Sequence, residues 1–352
     1  MSIKYNGGYI PAVGADGTTL VADSSTSTGL RYNPTTGNQN FAINGNLDIW
    51  QRGTSFASPA TNAYLADRWQ TIYTVNQTTS QQTTGVPVGS TYCSRITYTG
   101  AGAIGFQNQS LEASMAKMLA GKTVTLSVKL RRNATFNVNI DIKLRKSSTA
   151  NASGNSGFSD IATTVVTVAQ LPTGTTSADW YTATLTTTIP NDGTALGLQI
   201  LIGEEATGSS GQYWEYAQVK LEIGSVATAM TLSGGTLQGE LAACQRYYYR
   251  ESYSTTLMAA PVIASSSTLA DFIWQYPVAM RIAPTLSSSS ATNDFLVYTA
   301  ATGSSYYSSI SFLNVGVQRG QGRITVSGYT AGQAGFMLLN QSGAFLQASA
   351  EL

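Results

Sequence analysis

The 352-residue sequence contains no histidine. The commonest zinc ligand is therefore absent, and so is the base of any Ser-His-Asp or Cys-His arrangement. Charge is nearly as scarce. Asp, Glu, Lys and Arg make up 11% of the chain, against about 25% in ordinary soluble domains. The 19 basic and 18 acidic residues leave a net charge of +1, too little to neutralise many phosphates, so nucleic-acid binding is not expected. Cysteine is limited to Cys93 and Cys244. Their spacing suggests no staple, and two buried free thiols are expected. No stretch reaches the ~18 apolar residues of a membrane span. The N-terminus has no basic segment followed by an apolar one, so neither membrane insertion nor a secretory leader is expected. The Gly-rich turns at 100–102 and 316–322 lack a phosphate-loop lysine. No run of oxygen ligands has EF-hand spacing. The expected cofactor list is empty.

Ser, Thr, Asn, Gln and 34 glycines occupy the place of the missing charges. Such side chains suit short strands and tight turns better than long exposed helices. A weakly charged chain is also poorly protected against association, which points to an obligate oligomer. Residues 1–37 are poor in bulky aliphatics and cannot fold alone. They keep spaced anchors, among them Tyr5, Tyr9, Ile10, Leu20 and Val21, and so read as an extended arm that orders against a neighbour.

From residue 38 to 229 the pattern becomes short alternating segments: Leu47 to Trp50, Thr123 to Leu130, Phe136 to Leu144 and Trp180 to Thr186. Period-two alternation marks strands with one buried face. The evenly apolar stretch from Leu196 to Ile202 marks a central strand. One helix is expected over residues 110–120, with Leu111, Met115, Met118 and Leu119 on one face and Gly121 as its stop. Residues 147–160 form a polar surface loop. Together these elements predict a jelly-roll β-sandwich. Residues 230–251 predict a Ser/Gly hinge and a short helix, and residues 252–352 a second, smaller β domain. The expected fold class is all-β.

Two segments carry a specific resemblance. One is Asn44-Gly45-Asn46-Leu47-Asp48-Ile49-Trp50-Gln51-Arg52-Gly53-Thr54-Ser55-Phe56, completed by Tyr64-Leu65-Ala66-Asp67-Arg68-Trp69. The other runs from Trp214 to Ala229 and is followed by Glu240 to Tyr248. With the stretch from Pro11 to Ser24, they resemble tail-fibre and virion-appendage proteins of tailed bacteriophages that contain a carbohydrate-binding-module-like jelly roll. The resemblance implies a structural subunit of a tail fibre or spike, made in the host cytoplasm and located in the virion. It implies a homotrimer joined to other virion proteins through the N-terminal arm and presenting β domains to a host-surface glycan. A head-attached capsid fibre and a polysaccharide depolymerase are the alternatives.

A two-carboxylate glycosidase would need carboxyls roughly 5–10 Å apart across a cleft. Asp48 and Asp67 invite that comparison. Both sit beside Arg and Trp, however, and read as loop-bracing groups together with Arg52 and Arg68, while Trp50 and Trp69 read as core. Glu204, Glu205 and Glu222 receive the same reading, so no catalytic residue is expected. Sugar recognition needs aromatic faces with amide and hydroxyl partners. Tyr306, Tyr307 and Tyr329 in the C-terminal domain are the candidates, and that domain is expected to face outward.

Overall fold

The computed structural model describes residues 4–5, 8–9, 18–22, 29–34, 39–72, 76–101, 105–204, 206–252, 257–291 and 293–352. The chain divides into two compact units, residues 1–240 with Leu352, and residues 241–351. It is mostly β, with several antiparallel sheets and two short α-helices among the described residues.

Within residues 1–37, β1 (Lys4–Tyr5) pairs with β2 (Gly8–Tyr9), and β3 (Thr18–Ala22) with β4 (Leu30–Pro34). The sandwich follows: β5 (Ser55–Ala57), β6 (Gln70–Ile72), β7 (Gln77–Gln82), β8 (Cys93–Tyr98), β9 (Phe106–Leu111), α1 (Ala113–Leu119), β10 (Thr123–Arg132), β11 (Ile140–Ser147), β12 (Ser159–Val166), β13 (Tyr181–Thr188), β14 (Gly197–Glu204) and β15 (Tyr213–Ile223). Six strands form one sheet in the order β13-β10-β15-β8-β7-β5, and five form the other, β12-β11-β14-β9-β6. The core lies between them. Val124, Leu126, Val128 and Leu130 of β10, with Trp214, Tyr216, Val219 and Leu221 of β15, bury against Ile140, Ile142 and Leu144 of β11 and Leu198, Ile200 and Ile202 of β14. The expected alternation is therefore present on β10, and β14 is buried along its whole length.

The two outer faces of the sandwich are finished differently. Gln199 Nε2 donates to Gly154 O (2.7 Å), and Gly154 N–H donates to Gln70 Oε1 (3.2 Å), which fastens the long loop over the five-stranded sheet. The six-stranded sheet leaves a concavity on its outer side, described below.

The second unit follows α2 (Leu237–Gln245). It comprises β16 (Tyr248–Ser252), β17 (Leu257–Ala264), β18 (Leu269–Gln275), β19 (Thr285–Ser288), β20 (Phe295–Thr299), β21 (Gly303–Tyr306), β22 (Ser309–Val315), β23 (Arg319–Thr325), β24 (Ala334–Leu339) and β25 (Phe345–Ser349). A three-stranded sheet, β16-β25-β19, and a seven-stranded sheet, β21-β20-β24-β17-β18-β23-β22, contribute to a core that includes Phe272, Trp274, Phe295, Met337 and Leu346. Gly322 admits the Phe272 ring, since a Cβ there would lie 2.2 Å from it.

Several local expectations shift. Residues 47–50 form a loop rather than a strand, because Leu47 is in the left-handed region (φ 58°). The helix begins later than expected, at Ala113, because Ser110 and Leu111 complete β9 in register with Gln199 and Leu198. Met118 consequently points outward while Ala116 and Leu119 are buried. The strand expected from Phe136 starts at Ile140. Asn133 Oδ1 accepts the Phe136 N–H (3.0 Å) and holds that segment in a turn. The helix after the hinge ends at Gln245, since β16 claims Tyr248 for pairing with Ser349.

Candidate ligand-binding site

The site begins with the loop from Asn44 to Arg52. Asn44 Nδ2 donates to Ile49 O (2.9 Å) and Asp67 O (3.0 Å), and its Oδ1 accepts the Ile49 N–H (3.0 Å). Two indoles close the turn. Trp69 Nε1 donates to Asn44 O (3.1 Å), and Trp50 Nε1 donates to Leu47 O (2.6 Å). Asp67, fully buried, accepts the Gln51 N–H (3.1 Å) and the Gln51 side-chain amide. Gly45 lets this loop lie on β15. Its carbonyl accepts the Val219 N–H (2.8 Å), and a Cβ would meet Val219 O at 2.0 Å. A non-Gly residue in the left-handed region costs on the order of 1–3 kcal/mol and persists only where its surroundings over-determine it. The bonds around Leu47 supply that constraint. With Leu47 buried in the core, its neighbours Asn46 and Asp48 are delivered to the outer face.

The floor depends on a bulge. Ser127 pairs with Lys220 and Lys129 with Ala217, so Gln218 and Val219 together oppose Val128. Gln218 takes φ 50°. A bulge of this kind re-aims a side chain. Here Gln218 Nε2 donates to Val88 O (2.8 Å) and Ser90 Oγ (3.0 Å). Ser90 Oγ donates in turn to Asn46 Oδ1 (2.6 Å), and Asn46 Nδ2 donates to Asp48 Oδ2 (3.0 Å). Loop, bulge and the wall at 88–92 are thereby one hydrogen-bonded unit.

Together they enclose a concavity of about 890 Å³. Ser127, Lys129, Thr182, Gln218 and Lys220 form its floor, Asp48 and Tyr92 lie in its walls, and Met230 and Leu232 supply apolar lining. Lys220 is a structural cation. Its Nζ donates to Thr228 Oγ1 (2.6 Å) and Ala229 O (2.7 Å) and pairs with the buried Glu222 (3.2 Å), while burial holds its pKa below the ordinary lysine value. Lys129 is half-buried and makes no hydrogen bond or ion pair among the described residues. Asp48 is also half-buried. Burial raises its pKa, against the opposing hydrogen bonds of the Asn46 side chain and the Thr91 backbone. A carboxyl, an ammonium, an amide, two hydroxyl side chains and a phenol ring thus converge on one hollow. Such a set can exchange hydrogen bonds with several hydroxyls of a ligand while a ring packs against its apolar face.

Among the described residues lining the hollow, Asp48 is the single carboxylate. Asp67 and Glu222 are spent on loop bracing, as expected from sequence. Glu204 is buried against Tyr98, and Glu205 lies outside the described residues. Among the described residues no cluster of three or more His, Cys, Asp or Glu side chains could hold a metal ion. Cys93 and Cys244 are both buried and form no disulfide with each other, matching the expectation.

The three tyrosine candidates are distributed around β20. Tyr306 pairs with Leu296 and is exposed. Tyr307 packs edge-on against Phe295 (5.1 Å between ring centroids), and its hydroxyl donates to Ala291 O (3.1 Å). Tyr329 lies in the core, 4% exposed, and donates to Val297 O (2.7 Å). Phe295 and Val297 face inward and Leu296 outward, so Tyr306 is on the opposite side of the sheet from the other two, and no shared stacking platform forms. In the arm, Tyr5 and Tyr9 fall in the first pairing and Leu20 and Val21 in the second, while Ile10 lies outside the described residues. The residues missed from sequence are Tyr92, Lys129 and Gln218. One signal for the bulge was present: the apolar phase moves from even positions (Trp214, Tyr216) to odd ones (Val219, Leu221).

No protein-family model matches the chain, and no curated protein matches its sequence. Distant structural similarity exists to carbohydrate-binding modules and to a phage tailspike domain. TmCBM61, solved with β-1,4-galactotriose, is 10% identical over 53% of this chain and 99% of its own, with a TM-score of 0.33. A putative sugar-binding protein from Bacteroides thetaiotaomicron is 11% identical over 53% of this chain and 100% of its own, with a TM-score of 0.34. The enzymatically active domain of bacteriophage CBA120 tailspike protein 4 is 13% identical over 52% of this chain, and the match spans 21% of that chain, with a TM-score of 0.33. At these values the similarities decide neither ligand nor activity.

Proposed function

We propose that this chain is a non-enzymatic structural subunit of a bacteriophage tail fibre or spike, assembled as a homotrimer, whose β-sandwich binds a host-surface glycan in the Asp48–Tyr92 hollow. The observation that carries the binding reading is the hollow itself, where Asn46, Asp48 and Gln218 are held by one hydrogen-bonded frame beside the Tyr92 ring. Pre-positioned polar groups over a partly apolar lining are what a small polar ligand requires. Of the segments that resemble phage appendage proteins, 44–56 lines this hollow and 64–69 braces that loop, which supports joining the two readings. A single lining carboxylate supports binding over glycoside hydrolysis, which uses two. Residues 1–37 are the part assigned to other virion proteins.

The test is titration of the full chain with host envelope polysaccharide and its oligosaccharides, alongside Asp48→Asn and Tyr92→Ala. Binding that weakens at least tenfold in both variants, with unfolding midpoints no lower than wild type, is expected. Binding unaffected by either change, or release of reducing ends from the polysaccharide, would overturn the reading. Gold-labelled antibody should decorate the appendages of intact virions.

A further inference from the structure

The seven-stranded sheet of the second unit has one face in the core. Its other face is apolar in an unusual way. Register places Tyr298 beside Phe336 and Phe336 beside Pro261, forming one cross-strand row. A second row runs Tyr306, Leu296, Leu338, Met258. Ile263 lies opposite Asp271, and Ile273 follows two residues further along the same side of β18. Alternation confirms the assignment, since the intervening Val262, Phe272, Val297 and Met337 are buried. Met258 is 60% exposed, Tyr306 57%, Ile263 54%, Ile273 48%, Tyr298 46% and Phe336 43%.

We infer that this face is where copies of this chain meet. The inference deepens the homotrimer reading above by naming the surface, and it is independent of the glycan site in the first unit. Its first support is area. A large side chain carries about 150–200 Å², so six of them at roughly half exposure leave on the order of 500 Å² of contiguous apolar surface. One side of a standard interface is about 800 Å², a little over half of it apolar, or about 450 Å². The face supplies that apolar share by itself, and contiguous apolar patches of this size are often functional.

The second support is charge. The charged pair that register places within this patch, Asp271 and Arg323, is already closed in a two-pronged ion pair at 2.6 and 3.0 Å. Arg319, on the same side of β23 and lining a hollow with Ile273, adds a single positive charge at the edge of the patch, so the face offers little charge with which to select an oppositely charged partner. A whole-chain charge of +1 likewise puts almost no repulsion between identical copies. An antiparallel sheet face with rows of apolar side chains can also line a three-fold axis, where the same patch of each of three copies is buried at once. Further copies of this chain meet the conditions of area and shape.

Sedimentation velocity of the full chain over a range of concentrations tests this. Wild type should associate. Ile273→Lys/Phe336→Lys should raise the dissociation constant at least 100-fold, and because both positions are half-exposed, circular dichroism and the unfolding midpoint should not change. A separate Ile273→Cys variant offers an accessible thiol, the native cysteines being buried, and its maleimide labelling should slow at least tenfold at concentrations where the protein is associated. A monomeric wild type, a double variant that associates as wild type does, or a thiol that labels equally fast in the associated state would each overturn the inference. So would a double variant that still associates but loses glycan binding, because the face would then belong to the ligand. Asp48→Asn should leave sedimentation unchanged, so failure of the glycan reading is told apart from failure of this one.

Discussion

Glu204 ends β14 with no solvent exposure. Its Oε1 accepts the Tyr98 hydroxyl and the Gly105 N–H (2.6 Å), and Trp214 Nε1 donates to the same Tyr98 hydroxyl at 3.1 Å. Its Oε2 is buried without a hydrogen-bond partner. Burial pushes its pKa from 4.5 up to about 7, although those donors pull the other way. The native state therefore holds a proton that the unfolded chain releases near its ordinary value. In such a case stability is fully present below the unfolded pKa and is lost as pH rises through the folded one. A shift of this size corresponds to about 3 kcal/mol, lost between about pH 4.5 and 7. Asp48, Glu240 and Glu251 are shifted in the same direction, so the wild-type slope alone does not isolate Glu204. Glu204→Gln does, because Gln mimics the protonated acid and cannot ionise. Urea unfolding of both proteins from pH 5 to 8 should give nearly equal stabilities at the acid end. At pH 8 the variant should be more stable by about 2–3 kcal/mol. A constant difference across that range would refute the assignment.

Trp69→Ala removes a fully buried ring that packs edge-on against Tyr216, 5.6 Å between centroids, and the donor to Asn44 O. It should cost the first unit about 3–5 kcal/mol in chemical unfolding. Gly45→Ala should lower the unfolding midpoint of that unit and weaken ligand binding together, because the new methyl would strike Val219 O. A variant as stable as wild type would show that the loop does not rest on β15. Cys93 has no exposure, and burial pushes its thiol up to about 12. At pH 8 about one molecule in ten thousand would then carry the thiolate, so alkylation should proceed only after unfolding.

How much of this was legible depended on whether a residue's role was local. Alternation in Thr123 to Leu130 is enough to specify β10, because the same side chains alternate whatever strand lies beside them. The bracing roles of Asp67 and Arg68 and the core role of Trp69 were also legible, from the density of polar and aromatic groups in one short motif. Leu47 was read as a strand residue because its neighbours alternate. Nothing in that alternation records that Asn44, Trp50 and Asp67 would hold it in a left-handed turn. Tyr329 lies in a Ser/Gly turn, a context that favours exposure, yet tertiary packing draws its ring inward and gives its hydroxyl to Val297 O. Lys129 and Tyr92 look ordinary in sequence, and their interest comes only from sharing a hollow with Asp48.

Leu47 and Gln218, two of the left-handed non-glycine residues around the hollow, have a common consequence. Each occupies a backbone region that costs on the order of 1–3 kcal/mol, and each is held there by bonds reaching into different elements. Leu47 is fixed through the Asn44–Trp50 turn, and Gln218 through the bulge of β15 and the loop at 88–90. Asn46 joins them, since it takes the Ser90 hydroxyl on one side and holds Asp48 on the other. Ser90 is therefore shared between Asn46 and Gln218, and wall and floor are linked through it. A binding surface built this way loses little freedom when a ligand arrives. Such linkage suits the proposed glycan site, which would hold a fixed shape for weak contacts repeated across copies.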